Sequence, residues 1–128
     1  QVFRYGQLNG RTVAGNGSVG TISLNRPQAV VLDGDGYLFI VESGSHRVIG
    51  SGPRGFRCVA ACGGVNGSSS SQLSSPMSLA LNSFGSIFVM DRDNHRLQEF
   101  KLAGDFCSKY QNHEIHIEIY LVFRRYCQ

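Results

Sequence analysis

The chain repeats itself at an interval of 49 residues, and this self-similarity limits the possible folds more than any other feature of the sequence. At that offset Leu24 meets Leu73, Pro27 meets Pro76, Leu32 meets Leu81, Gly36 meets Gly85 and Phe39 meets Phe88. His46-Arg47 meets His95-Arg96, and many of the remaining pairs are conservative: Leu38/Ile87, Ile40/Val89, Val48/Leu97, Asp33/Asn82, Glu42/Asp91. Gly15 and Gly64 keep the interval, as do Cys58 and Cys107. A unit of this size is a supersecondary element that buries its apolar surface against its neighbours.

Within each unit the signals are those of short strands. The chain holds 16 Gly but only 3 Pro, with many β-branched and aromatic residues and no helix-period pattern, so the fold class expected is all-β. A loop rich in Gly and Ser (15–21, 63–71) runs to a Pro, whose fixed φ starts a strand over Gln28–Leu32 or Met77–Leu81. The turns Asp33-Gly34-Asp35-Gly36 and Asn82-Ser83-Phe84-Gly85 supply a Gly for positive φ. A second, nearly all-apolar strand follows at Tyr37–Glu42 or Ser86–Asp91, as suits a strand covered on both faces. After a polar turn of three residues comes a third strand, His46–Gly50 or His95–Leu102, and in the first unit a fourth, Phe56–Ala60. Four strands per unit of this length describe the blade of a β-propeller. The absence of Trp and of a Gly-His pair excludes the WD40 type.

The shared string Pro-x5-Asp/Asn-x2-Gly-x-Leu/Ile-Phe-Ile/Val-x-Glu/Asp-x3-His-Arg-Val/Leu resembles the NHL repeat. The second unit carries the likeness best, over Val89-Met90-Asp91-Arg92-Asp93-Asn94-His95-Arg96-Leu97-Gln98, whereas the first departs at Glu42 and at Gly44-Ser45. The run Gly50-Ser51-Gly52-Pro53-x-Gly55-Phe56-Arg57-Cys58-x3-Cys62 further resembles the long NHL arrays of rotifer-like invertebrate proteins. The resemblance spans residues 12–107. It implies a partial propeller: residues 1–14 as the last strands of a preceding blade (Val2–Tyr5 and Arg11–Ala14), 15–62 as one blade, and 63–107 as a second without a typical fourth strand. Residues 108–128 form a divergent tail, in which His113–Tyr126 alternates as a half-buried strand does. The repeat signature comprises Pro27, Gly36, Glu42, His46, Arg47, Pro76, Gly85, Asp91, His95 and Arg96.

Chemistry is sparse in this inventory. His46 and His95 tempt assignment as ligand or base, but a feature recurring in each unit belongs to architecture, since an active site is needed once. The expected role is that Glu42 or Asp91 accepts hydrogen bonds from turn amides and from the following His or Arg, fixing the corner between strands two and three. Asp33-Gly34-Asp35-Gly36 opens like a calcium loop but lacks the third ligand and the Glu at position 12, so it reads as a hairpin turn. The four cysteines (58, 62, 107, 127) include no Cys-x2-Cys pair, which argues against a zinc ribbon. In extended chain Cys58 and Cys62 would stand roughly 13 Å apart, whereas a disulfide needs Cα atoms within about 7 Å. A turn at Val59-Ala60-Ala61 would close the bridge; the other reading is buried free thiols. Cys107 has Cys127 as its remaining candidate partner. His113 and His116 would face opposite sides of a strand, and neither a phosphate loop nor a nucleophile elbow is present. No cofactor is expected.

A net charge of +3 with no basic stripe is weak support for nucleic acid, and no apolar stretch is long enough to cross a membrane. The chain opens at Gln1 without the basic head and apolar run of a secretory leader, and is expected to be part of a longer or processed protein. Two units are fewer than a ring requires, so the remaining blades of a longer chain, or self-association, are expected to cover the open faces. The function expected is a non-catalytic binding scaffold, with a protein partner foremost and RNA second, presenting loops 15–26, 43–45, 64–75 and 92–94 as two rims. Two alternatives come with the resemblance: a metal-dependent lyase or lactonase of six blades, and the substrate-recognition part of a tripartite-motif ubiquitin ligase. Against the former, Gln28–Leu32 and Met77–Leu81 hold no ionisable side chain. A Cys58–Cys62 bridge would favour an extracellular setting, and its absence the cytoplasm.

Overall fold

The computed structural model describes residues 10–16, 22–52, 55–83 and 85–101. Seven strands make two antiparallel sheets, each running in sequence order. β1 (Pro27–Leu32), β2 (Leu38–Glu42), β3 (Arg47–Gly52) and β4 (Gly55–Ala60) form the first sheet. β5 (Ser78–Leu81), β6 (Ser86–Asp91) and β7 (Arg96–Lys101) form the second, with one turn of 3₁₀-helix at Arg92–Asn94. No α-helix occurs among the described residues, and the sheets do not close into a ring there. Strand ends lie within two residues of those the sequence suggests. One expectation fails: Arg11–Ala14 forms no strand but runs as an irregular segment. Val2–Tyr5, Cys107, Cys127 and the 108–128 tail lie outside the described residues.

The 49-residue interval is reproduced in the backbone. Val30 pairs with Ile40 as Leu79 pairs with Val89, and Val41 pairs with Val48 as Met90 pairs with Leu97. Left-handed φ recurs at equivalent positions: 50° at Arg26 and 49° at Ser75, 53° at His46 and 51° at His95, 85° at Gly36 and 87° at Gly85. The β1–β2 turn shows why the residue types recur. Asp33 Oδ1 accepts from the Asp35 and Tyr37 amides at 2.9 Å each, and Asn82 Oδ1 accepts from Ser86 at 3.0 Å. These side chains hold the turn while Gly36 or Gly85 takes the positive φ that closes it.

The core lies between the sheets, and the two contribute to it in a complementary way. The first sheet supplies Phe39, Val41, Val48 and Ala60. From the second unit come Leu79, Ile87 and Val89, with Leu73 from the loop before β5. Shifted back by 49 residues, those four are Leu24, Val30, Leu38 and Ile40. Successive strand residues point to opposite faces, so Leu38 and Ile40 lie on the side of β2 away from Phe39 and Val41. The sheets therefore meet like to unlike: one face of the first unit packs on the opposite face of the second. Burial of such side chains stabilises by about 1.5–3 kcal/mol each.

Two bulges shape the first sheet. Register slips once between Pro27 and Ala29 and once between Val48 and Ile49, leaving Val59 of β4 without a partner in the ladder. The extra residue bends β4, and Ala61 follows at a φ of 55°. The chain thereby folds back, bringing the Cα atoms of Cys58 and Cys62 to 5.7 Å, where the disulfide joins them. Of the two readings open for these cysteines, the bridge is the one found.

Candidate functional site

The signature residues assemble into a corner that occurs twice. Glu42 is fully buried; its Oε1 accepts from the Asn25 amide at 2.8 Å and its Oε2 from Arg47 Nε at 2.6 Å. Asp91, also fully buried, accepts from the Ser74 amide at 2.7 Å and from Arg96 Nε at 2.7 Å. Asn25 and Ser74 are 49 residues apart, so the second corner repeats the first. Burial works against ionisation of Asp91, but the Ser74 amide, the Asn94 side chain and the Arg96 guanidinium outweigh it and hold the carboxyl below its usual value. Of the His or Arg expected to donate to this carboxylate, it is the arginine that does so in both corners. The expected role needs one correction: its backbone amide donor comes from the loop preceding Pro27 or Pro76, 17 residues upstream, and not from the β2–β3 or β6–β7 turn.

His46 does something else. Its Nδ1 accepts from the Ser75 amide at 2.9 Å, joining the β2–β3 turn to the loop that leads into β5. A neutral His46 then carries its proton on Nε2. Arg96, having paired with Asp91, also donates to the carbonyls of Ser68, Ser69 and Gln72. Asn94 bonds the Gly67 carbonyl at 2.7 Å and Gln98 the Ser70 carbonyl at 2.9 Å. In the first unit Ser43 and Gly44 donate to the carbonyls of Arg26 and Asn25. The described parts of the four loops thus gather at one end of the molecule, tied together through His46, and form one rim in place of the two expected. Among them Arg92 and Asp93 pair in the open at 3.2 Å. The Asp93 carboxyl is held below its usual value, first by a hydrogen bond from Ser75 and then by Arg92 and His46.

His46 and His95 sit in separate corners, and no group of three or more His, Cys, Asp or Glu able to hold a metal occurs among the described residues. At the other end of the sheets Asp33 Oδ2 is buried without a hydrogen-bond partner, but its neighbours are turn amides and not further ligands. His113 and His116 lie outside the described residues.

A feature the sequence reading missed is an open groove of about 550 Å³ on the outer face of the first sheet. Leu24, Pro27, Val30, Leu38 and Ile40 line it, with Thr12–Ala14 along one side. The signal was available, since all five have counterparts in the second unit, four of them in the core. Sequence alone does not say which face of a strand meets a neighbour.

No protein-family model matches the chain, and no curated protein matches it.

Proposed function

We propose that this chain is a non-catalytic binding scaffold, a segment of an NHL-type propeller that presents its loop-bearing rim to a protein partner. One observation carries this reading. The residues best equipped for chemistry, Glu42, Asp91, Arg47, Arg96 and His46, are engaged in holding the rim loops together. What the rim offers a ligand is a firmly held set of loops whose outer side chains can change without disturbing the frame. RNA is less well served, because Arg47 and Arg96 already neutralise buried carboxylates. The Cys58–Cys62 bridge supports an oxidising, extracellular setting. No helix among the described residues is long and apolar enough to cross a membrane.

The test is selection of ligands from a displayed peptide library and a random RNA pool against the full chain. Peptides are expected to emerge whose binding is lost in R92E/D93K and retained in S83R, at the opposite end of the sheets. RNA ligands with a steep salt dependence would replace the protein-partner reading. A rise in Tm of several degrees with calcium, manganese or zinc, accompanied by lactone hydrolysis, would replace the scaffold reading with the metal-dependent one.

A further inference from the structure

The groove on the first sheet is the counterpart of a surface that is already covered elsewhere in the molecule. Leu73, Leu79, Ile87 and Val89 are buried against the first sheet, with Pro76 buried beside them. Their equivalents lining the groove are less covered: Val30 is 57% exposed where Leu79 is 7%, Pro27 is exposed where Pro76 is buried, and Leu24 and Leu38 are half-buried, while Ile40 is buried like its counterpart Val89. The covering face is equally well defined. On the first sheet it is Phe39, Val41 and Val48, all at 0% exposure. Their equivalents on the second sheet are Phe88, Met90 and Leu97, in the same register, with Met90 51% and Leu97 60% exposed. The molecule thus displays an open socket at one end of its stack and, at the other, an open face of the kind that fills such a socket.

From this pairing we infer that the chain binds a second copy of itself head to tail, the Phe88–Met90–Leu97 face of one copy seating in the Leu24–Val30–Leu38–Ile40 groove of the next. The contact repeats the one between the two sheets and needs no new surface. A polar pin accompanies it. Within the chain, His46 accepts from the Ser75 amide across the sheet-to-sheet contact. The equivalents are His95, exposed at the edge of the open face, and the Arg26 amide beside the groove; both residues share the left-handed φ of their counterparts. Docking brings them together between copies. Glu99 stands within the open face as the ladder partner of Phe88, at the position Gly50 holds opposite Phe39, with its carboxylate held by the Ser86 hydroxyl at 3.2 Å; Lys101 lies farther along, at the end of β7. The surfaces that meet are different on the two partners, so the association is heterologous and propagates until it closes a ring or leaves an open string.

A heterologous contact has a test that a symmetric one fails. Val30 and Met90 are exposed in the single copy, so V30E and M90E leave its core untouched, which circular dichroism and the unfolding transition of each variant check. In light scattering and sedimentation over a concentration series, the full wild-type chain is expected to assemble. Each variant alone lacks one half of every contact and should stay monomeric where the wild type assembles, with association weakened roughly 100-fold. Mixed one to one, V30E contributes an intact open face and M90E an intact groove, and the mixture is expected to give a heterodimer that grows no further. H95A should weaken the wild-type assembly without abolishing it. Three results overturn the proposal: a wild-type chain that stays monomeric at its highest soluble concentration, assembly indifferent to both variants, or a mixture of variants that forms no heterodimer.

Discussion

Arg92 and Arg96 stand four residues apart and both pair with an aspartate, at 3.2 and 2.7 Å, yet their partners differ in what they would lose. Asp93 is half in water, whereas Asp91 is fully buried. R96A strands a buried carboxylate and releases three loop carbonyls, so it is expected to lower unfolding free energy by about 3 kcal/mol; R92A should stay within about 0.5 kcal/mol. Urea titration of both variants checks the contrast. Asp91 also gives the fold a defined acid sensitivity. Its folded-state pKa lies below the ordinary 3.8, so its contribution is complete above that value and is lost as pH falls through the lowered one. Stability measured from pH 6 downward should therefore fall below about pH 4, and D91N, less stable throughout, should show a flatter profile.

At the level of elements, the strands were legible because three signals coincide in each unit: an apolar run, a Gly-containing turn, and the same pattern 49 residues on. Where only one signal existed the reading failed. Arg11–Ala14 is a four-residue run that becomes an irregular segment beside the groove, and four residues are too few to separate the two outcomes. The corners were half legible. The Glu42–Arg47 and Asp91–Arg96 pairs lie across neighbouring strands and can be guessed from spacing, but their amide donors sit 17 residues away in loops without a pattern. The disulfide stood on a turn that sequence permitted without requiring; the bulge at Val59 and the backbone of Ala61 provide it. Because it closes so short a loop, its removal in C58S/C62S should cost only about 2 kcal/mol by loop entropy. Thermal unfolding of the variant, compared with the oxidised wild type, measures this.

For the whole molecule, the decisive property is that equivalent residues have opposite surroundings. Val41 is buried between the sheets and Met90 faces outward, although the two occupy the same register position. Assembly through the open faces couples folding to concentration: Tm of the wild-type chain should rise as protein concentration rises. In V30E and M90E, scanned separately, that rise should be much reduced, and differential scanning calorimetry over a hundredfold dilution series would show the difference.

The like-to-unlike contact bears on how such a chain can change length. Every unit carries both halves of the seam, so a duplicated unit inserted between two others finds its neighbours ready-made, and a deleted one leaves halves that still match. Length can therefore drift by whole units while each seam stays under the same constraint. The freedom to diverge falls instead on loop side chains that take no part in the seam, unlike Leu73 and His46, which do.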